Sequence, residues 1–118
     1  MNLTTVDAVS HLLENNLHFR VSVTLSELKQ ILLGFGRYNS IPAYLSDIVK
    51  DLEKIGIGSL DRVEIGNEYS LVLYVSKYQP KNQTETARKL EALGKKYAAD
   101  EYDATVDGSR VNLRLWWD

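Results

Sequence analysis

Apolar residues recur at helical spacing over the first third of the chain. Val6, Val9, Leu12, Leu13 and Leu17 follow Thr4, which forms a capping pair with Asp7 three residues on. This predicts a first helix over Thr5 to Asn16. Phe19-Arg20-Val21-Ser22-Val23 then alternates apolar and polar side chains, the period of a short strand or an extended arm. Thr24 and Glu27 make a fuller capping box, in which the hydroxyl satisfies one orphan amide and the carboxylate reaches back to another. The stripe Leu25, Leu28, Ile31 and Leu32 extends that second helix to about Gly34. Gly34-Phe35-Gly36-Arg37-Tyr38-Asn39-Ser40 is a turn-rich connector, and Pro42 suits the first turn of a third helix, where its missing N–H costs nothing. Ile41, Tyr44, Leu45, Ile48, Val49, Leu52 and Ile55 give that helix a wide apolar face, and Gly56 is a left-handed stop.

The period then changes from helix to strand. Leu60 to Ile65 and Tyr69 to Tyr78 read as two strands joined by a turn at Gly66-Asn67-Glu68, with Val63 and Ile65 phased against Leu71 and Tyr69. Tyr69 to Val75 is apolar on both faces, which places the second strand centrally in a sheet. After Pro80, Asn82 and Glu85 cap a fourth helix with the stripe Ala87, Leu90, Leu93 and Tyr97, weakened or ended at Gly94. Val106-Asp107-Gly108-Ser109 is a hairpin turn, with Asp-Gly suited to the positive φ angles of type I′. Counting outward pairs Ala104 with Val111 and Tyr102 with Leu113, while Thr105 meets Arg110 and Asp103 meets Asn112. Leu52-Glu53-Lys54-Ile55-Gly56 and Leu90-Glu91-Ala92-Leu93-Gly94 each precede a hairpin. That is either a duplicated helix–hairpin unit or a common helix ending used twice.

The expected architecture is an α+β domain: two N-terminal helices, then helix–hairpin–helix–hairpin, with helices on one face of a four-stranded antiparallel sheet. The 118 residues fit one domain, with sub-units at 1–39, 40–78 and 79–118. At 44% hydrophobic and 25% charged, the composition is that of a globular chain and disfavours disorder or a coiled coil. With no cysteine, disulfides, thiolate metal sites and cysteine nucleophiles drop out, and a cytoplasmic location is expected. No apolar run approaches a membrane span, and Met1 to Ser10 lacks the basic and apolar regions of an export signal.

Charge is unevenly placed although the net value is −2. The stretch from Lys77 to Lys96 holds six basic residues against two acidic ones, while the flanking stretches are acidic. Lys77, Lys81, Arg88, Lys89, Lys95 and Lys96 therefore form the one place where a counter-charged partner meets a concentrated positive field. The alternative is a solvated helix face.

Candidate chemistry is sparse. Asp7, His11, Glu14 and His18 stand at steps of four, three and four along one polar line of the first helix. Two histidines seven residues apart are roughly 10 Å apart along the axis, whereas zinc–nitrogen bonds are about 2 Å, so one ion cannot reach both. No metal or other cofactor is expected. Gly34-Phe35-Gly36 and Gly56-Ile57-Gly58 resemble phosphate loops but lack the third glycine and the Lys-Ser ending, so they read as turns. Neither histidine has a serine and acid at triad spacing, and isolated carboxylates such as Glu64, Glu91 and Glu101 show no pairing. An enzyme is not expected.

The aromatic residues carry more weight. Adjacent strand residues face opposite sides, so Trp116 and Trp117 cannot enter one core, and one indole is left to face outward near Tyr78, Tyr102 and Arg114. Large rings beside arginine are enriched in binding hot spots. The leading expectation is a small non-enzymatic protein-binding module, comparable in size and composition to accessory or inhibitor proteins of mobile elements. It would recognise an acidic protein surface through Trp116, Trp117, Tyr102, Arg114, Arg88, Lys89, Lys95 and Lys96. A second copy of the chain is a further candidate partner.

Residues Thr4 to Tyr78, in the order helix, short strand, helix, turn, helix, hairpin, resemble a winged helix-turn-helix domain over about two thirds of the chain. The resemblance implies a DNA-binding regulator. Its recognition helix would begin near Ser40, with Ser40, Tyr44, Asp47 and Lys50 toward a groove, and Gly66-Asn67-Glu68 would be the wing tip, near Arg62. The acids Asp47, Asp51, Glu53, Glu64 and Glu68 would repel phosphate there, the Gly34–Ser40 connector is longer than the motif's tight turn, and a further helix and hairpin follow.

Overall fold

The computed structural model describes residues 4–34 and 41–118. Their elements are α1 (Thr5–Glu14), β1 (Phe19–Ser22), α2 (Leu25–Gly34), a short 3-10 turn (Leu45–Asp47), α3 (Ile48–Ile55), β2 (Arg62–Asn67), β3 (Leu71–Tyr78), α4 (Gln83–Lys96), β4 (Glu101–Asp107) and β5 (Arg110–Trp116). Three caps form as the sequence predicts. The side-chain oxygens of Thr4, Thr24 and Asn82 accept the amides of Asp7, Glu27 and Glu85 at 3.1, 3.1 and 2.9 Å. Glu27 completes its box by accepting the Thr24 N–H at 2.9 Å, a bond that holds its carboxyl below the usual range.

Three helix boundaries differ from expectation. Helix α1 stops at Glu14 rather than Asn16, because Asn15 turns its side-chain amide onto the His11 carbonyl at 2.8 Å and Asn16 takes a φ of 51°. His18 therefore lies off the line formed by Asp7, His11 and Glu14. The third helix begins at Ile48, because the chain before it closes three-residue turns, Leu45 N–H to Pro42 O and Asp47 N–H to Tyr44 O. Helix α4 continues through Gly94 to Lys96. Gly56 ends α3 at φ 105°, whereas Gly94 is a helical residue whose missing Cβ admits the Tyr102 side chain. The two Leu-Glu-x-apolar-Gly endings thus serve different purposes.

The sheet has five antiparallel strands in the order β1-β2-β3-β5-β4, one more than predicted. The added strand is β1. It pairs Phe19 with Asn67 and Val21 with Ile65, and its approach is close enough that a Cβ on Gly66 would meet the Phe19 carbonyl at 2.5 Å. Both hairpins are shifted by register. Val63 and Ile65 pair with Val75 and Leu73, because β2 runs through Asn67 and the turn falls at 68–70, where Tyr69 adopts φ 66°. Asn67 stays in the strand because its buried side-chain amide donates to Asn16 Oδ1 at 2.8 Å and to the Leu17 carbonyl at 3.2 Å. In the second hairpin Ala104 pairs with Leu113 and Tyr102 with Leu115, two residues beyond the expected partners. Gly108, at φ 61°, takes the first central position of a two-residue loop rather than sharing it with Asp107. A shift of two preserves the face of every side chain.

Alternation sorts the sheet into two faces. Val63, Ile65, Leu71, Leu73, Val75, Val111, Leu113 and Leu115 join Leu28, Ile31, Ile48, Leu52, Leu90 and Leu93 in one core, so the helices lie on a single side. The opposite side carries Arg20, Glu64, Tyr74, Arg114, Asp103 and Trp116 in cross-strand rows and has no helix over it among the described residues.

Candidate functional site

The two tryptophans diverge as their alternation requires, and Trp117 turns inward. It is 0% exposed, its Nε1 donates to the Tyr97 carbonyl at 2.9 Å, and its backbone N–H continues the sheet by bonding Leu71 O. An indole so enclosed belongs to the core, and Trp117 is withdrawn from the expected partner surface. Trp116 lies half-buried on the open face, with Nε1 donating to the Glu68 carbonyl at 2.9 Å.

The open face is polar and internally matched. Glu64 accepts Arg20 at 2.8 Å and sits 3.3 Å from Arg62. The Arg20 guanidinium lies 3.6 Å over the Tyr74 ring, and the Tyr74 hydroxyl donates to Glu68. Burial first, then that bond to Glu68, pushes the Tyr74 phenol up. Arg114 bridges Glu101 at 3.0 Å and Glu68 at 3.6 Å, and Arg110 pairs with Asp107 at 2.8 Å. Every arginine on this face has a carboxylate within reach, so its field is locally cancelled.

Helix α4, on the other side of the sheet, is organised differently. Gln83 donates to the Gly108 carbonyl at 2.6 Å at one end of the helix, and Gly94 receives the Tyr102 side chain at the other. The helix therefore runs antiparallel along β4. Between them lies a shallow groove of about 320 Å³ lined by Arg88, Glu91, Ala92, Lys95 and Tyr102. A second shallow depression between α3 and α4, about 250 Å³, shares Arg88 and adds Lys54, Lys89 and Lys96.

The cations of α4 are not equivalent. Lys89 pairs with Glu85 at 3.1 Å and Lys96 with Asp51 at 2.8 Å. Asp51 also accepts the Tyr97 hydroxyl, and the Tyr44 ring lies 5.8 Å from that of Tyr97. Burial pushes the Asp51 carboxyl up, but bonds from Lys96 and Tyr97 and the charges of Lys96 and Lys54 outweigh it and hold the group below its usual range. Burial, then Asp51, raises the Tyr97 phenol. This cluster fastens α3 to α4. Arg88 and Lys95 have no ion pair among the described residues and stand exposed on the α4 wall of the groove.

The residues expected at a protein surface thus fall into four places. Arg88, Lys95 and Tyr102 meet in the α4–β4 groove, Lys89 and Lys96 lie toward α3, Arg114 and Trp116 are on the opposite sheet face, and Trp117 is in the core. Of the positions named for DNA contact, Ser40 lies outside the described residues. Tyr44 and Lys50 are exposed on the helical side, whereas Arg62 faces away on the open side, paired to Glu64. Gly66 and Asn67 of the expected wing tip are buried strand residues.

The sequence did not single out β4 as an exposed edge strand beside the groove. Its signal was present in Asp103 and Val106, polar and apolar residues of a hairpin arm whose outer neighbour is solvent. Comparison with protein-family models, curated proteins and solved structures finds no match to this chain.

Proposed function

We propose that the chain is a small non-enzymatic protein-binding module that takes an acidic surface of a protein partner at the α4–β4 groove. One observation carries this reading: Arg88, Lys95 and the 41%-exposed Tyr102 line a shared groove with the single acid Glu91, and neither cation makes an ion pair among the described residues. Cations already paired on a surface offer an incoming acid little, because a new pair must replace an old one of similar strength, about 0–1 kcal/mol. Uncompensated cations beside an aromatic ring supply attraction and contact area together.

The test is affinity capture from the native source with wild-type protein, the Arg88→Glu/Lys95→Glu double variant and a Lys29→Glu control on α2. All three positions are exposed, so the fold is spared. One stoichiometric protein is expected with wild type and control, reduced at least tenfold with the double variant. Equal recovery from all three overturns the assignment. Duplex DNA is the alternative ligand. It would require a salt-steep mobility shift that Lys50→Ala weakens, while the helix bearing Lys50 also exposes Glu53.

A further inference from the structure

The groove has a second wall, β4, whose outer edge has no strand beside it among the described residues. β4 ends the sheet order, spans seven residues without proline or bulge, and is exposed at every position except Ala104. Natural edges of this length are commonly shortened, bent or covered, because their outward N–H and C=O groups accept another strand. The two-residue loop closes on the pair Asp107–Arg110. By the alternation of an antiparallel ladder, Asp107, Thr105, Asp103 and Glu101 then direct their backbone groups to β5. Tyr102, Ala104 and Val106 direct theirs outward.

The side chains beside those groups differ between the two faces. Toward the helices stand Tyr102 and the 49%-exposed Val106, with Arg88 and Lys95 of α4 sharing the groove with Tyr102. Toward the open face stand Glu101, Asp103 and Asp107. Asp103 is opposite Arg114 in register, but Arg114 pairs with Glu101 and Glu68 instead, so Asp103 has no ion pair among the described residues.

This pattern selects an occupant. A second copy of β4 added antiparallel, with faces matched, places carboxylate against carboxylate in every register that pairs five or more residues. The opposed pairs are Asp103 with Asp103 or Asp103 with Asp107 in the two five-residue registers, and in the seven-residue register Glu101 with Asp107, each of which is already held by an arginine of β5. Like charges directly opposite are destabilising. A strand with lysine or arginine on one face, and apolar and acidic residues alternating on the other, meets complementary charge on both.

We propose that β4 accepts an extended segment of the partner protein as a sixth strand, basic toward Asp103 and acidic or apolar toward Arg88, Lys95 and Tyr102. This rests on the α4–β4 groove being the partner site. Backbone bonds supply affinity in such additions, and alternate side chains supply selectivity.

The probe is the capped heptapeptide Lys-Val-Lys-Glu-Lys-Val-Lys, titrated by fluorescence anisotropy into the intact protein. Three control peptides accompany it: the same sequence N-methylated at alternate residues, one peptide for each phase, and a same-composition peptide with the alternation destroyed. Saturable binding of the alternating peptide is expected, at least tenfold weaker for the shuffled peptide and for one N-methylated phase. Slowed hydrogen exchange at Tyr102, Ala104 and Val106 should accompany it, and Asp103→Lys should weaken it severalfold. No saturable binding at millimolar peptide overturns the proposal. So does equal binding of every peptide with loss on Arg88→Glu/Lys95→Glu, an outcome that leaves the charge-based groove standing. A partner captured independently of Arg88 and Lys95 removes the underlying groove instead.

Discussion

Asp51 is a carboxylate whose partners, Lys96 at the end of α4 and Tyr97 just after it, lie 45 and 46 residues further along the chain. Lys96 and Tyr97 hold it ionised, so it binds its proton less readily in the folded chain than in the unfolded one. Its contribution is therefore complete above the unfolded value of about 3.9 and drains away as pH falls through the lower folded value. Tyr97 works in the opposite sense: its raised phenol contributes fully below about pH 10, and the contribution is lost as pH rises through the folded value. Asp51→Asn should cost about 1–3 kcal/mol at neutral pH. Urea midpoints at pH 7 and at pH 3 should show the gap between variant and wild type narrowing in acid. The indoles make the same distinction by surroundings. Trp117 is enclosed with its N–H satisfied, whereas Trp116 packs on a polar face, so neighbours in sequence answer to different environments.

Among the elements, the α4–β4 contact turns on one missing methyl group. A Cβ on Gly94 would fall 2.1 Å from Tyr102 Cγ and 2.4 Å from its Cβ, the rigid root of the side chain rather than its mobile tip. Gly94→Ala gains about 1 kcal/mol of helix propensity but incurs an overpacking cost of about 1–3 kcal/mol. A net loss of stability is expected, and in a double-mutant cycle Tyr102→Ala should recover about 1 kcal/mol or more of it. Denaturant midpoints of the four proteins measure this. Sequence pattern revealed the helices, both hairpins and the face of their side chains, because caps and periodicity are local. It marked Phe19 to Val23 as a short strand or an extended arm but did not join it to the sheet, since a few alternating residues carry no information about which edge they meet. Nor did it show that Asn67 belongs to a strand: its usual preference for turns is overridden by bonds to Asn16 and Leu17, about fifty residues away. Arg88, Lys95 and Tyr102 were legible as candidates. What separated them from Lys89, Lys96 and Arg114 was ion pairing and face, and Lys96 finds Asp51 only in the folded chain.

Across the whole molecule, a net charge of −2 conceals a division of labour. The open sheet face matches its own arginines with carboxylates, while Arg88 and Lys95 of α4 make no ion pair among the described residues and lie beside an exposed strand edge. A radius of gyration of 13.7 Å is that of one compact body, and one shared hydrophobic core underlies the helices and the sheet. The most direct test places a photo-crosslinking benzoylphenylalanine at Val106 on the β4 edge, or at the fully exposed Tyr69 on the β2–β3 turn, in the native extract. One discrete crosslinked protein is expected from Val106, lost in the Arg88→Glu/Lys95→Glu background, and none from Tyr69. A discrete product from Tyr69 with none from Val106 would contradict this placement of the partner site.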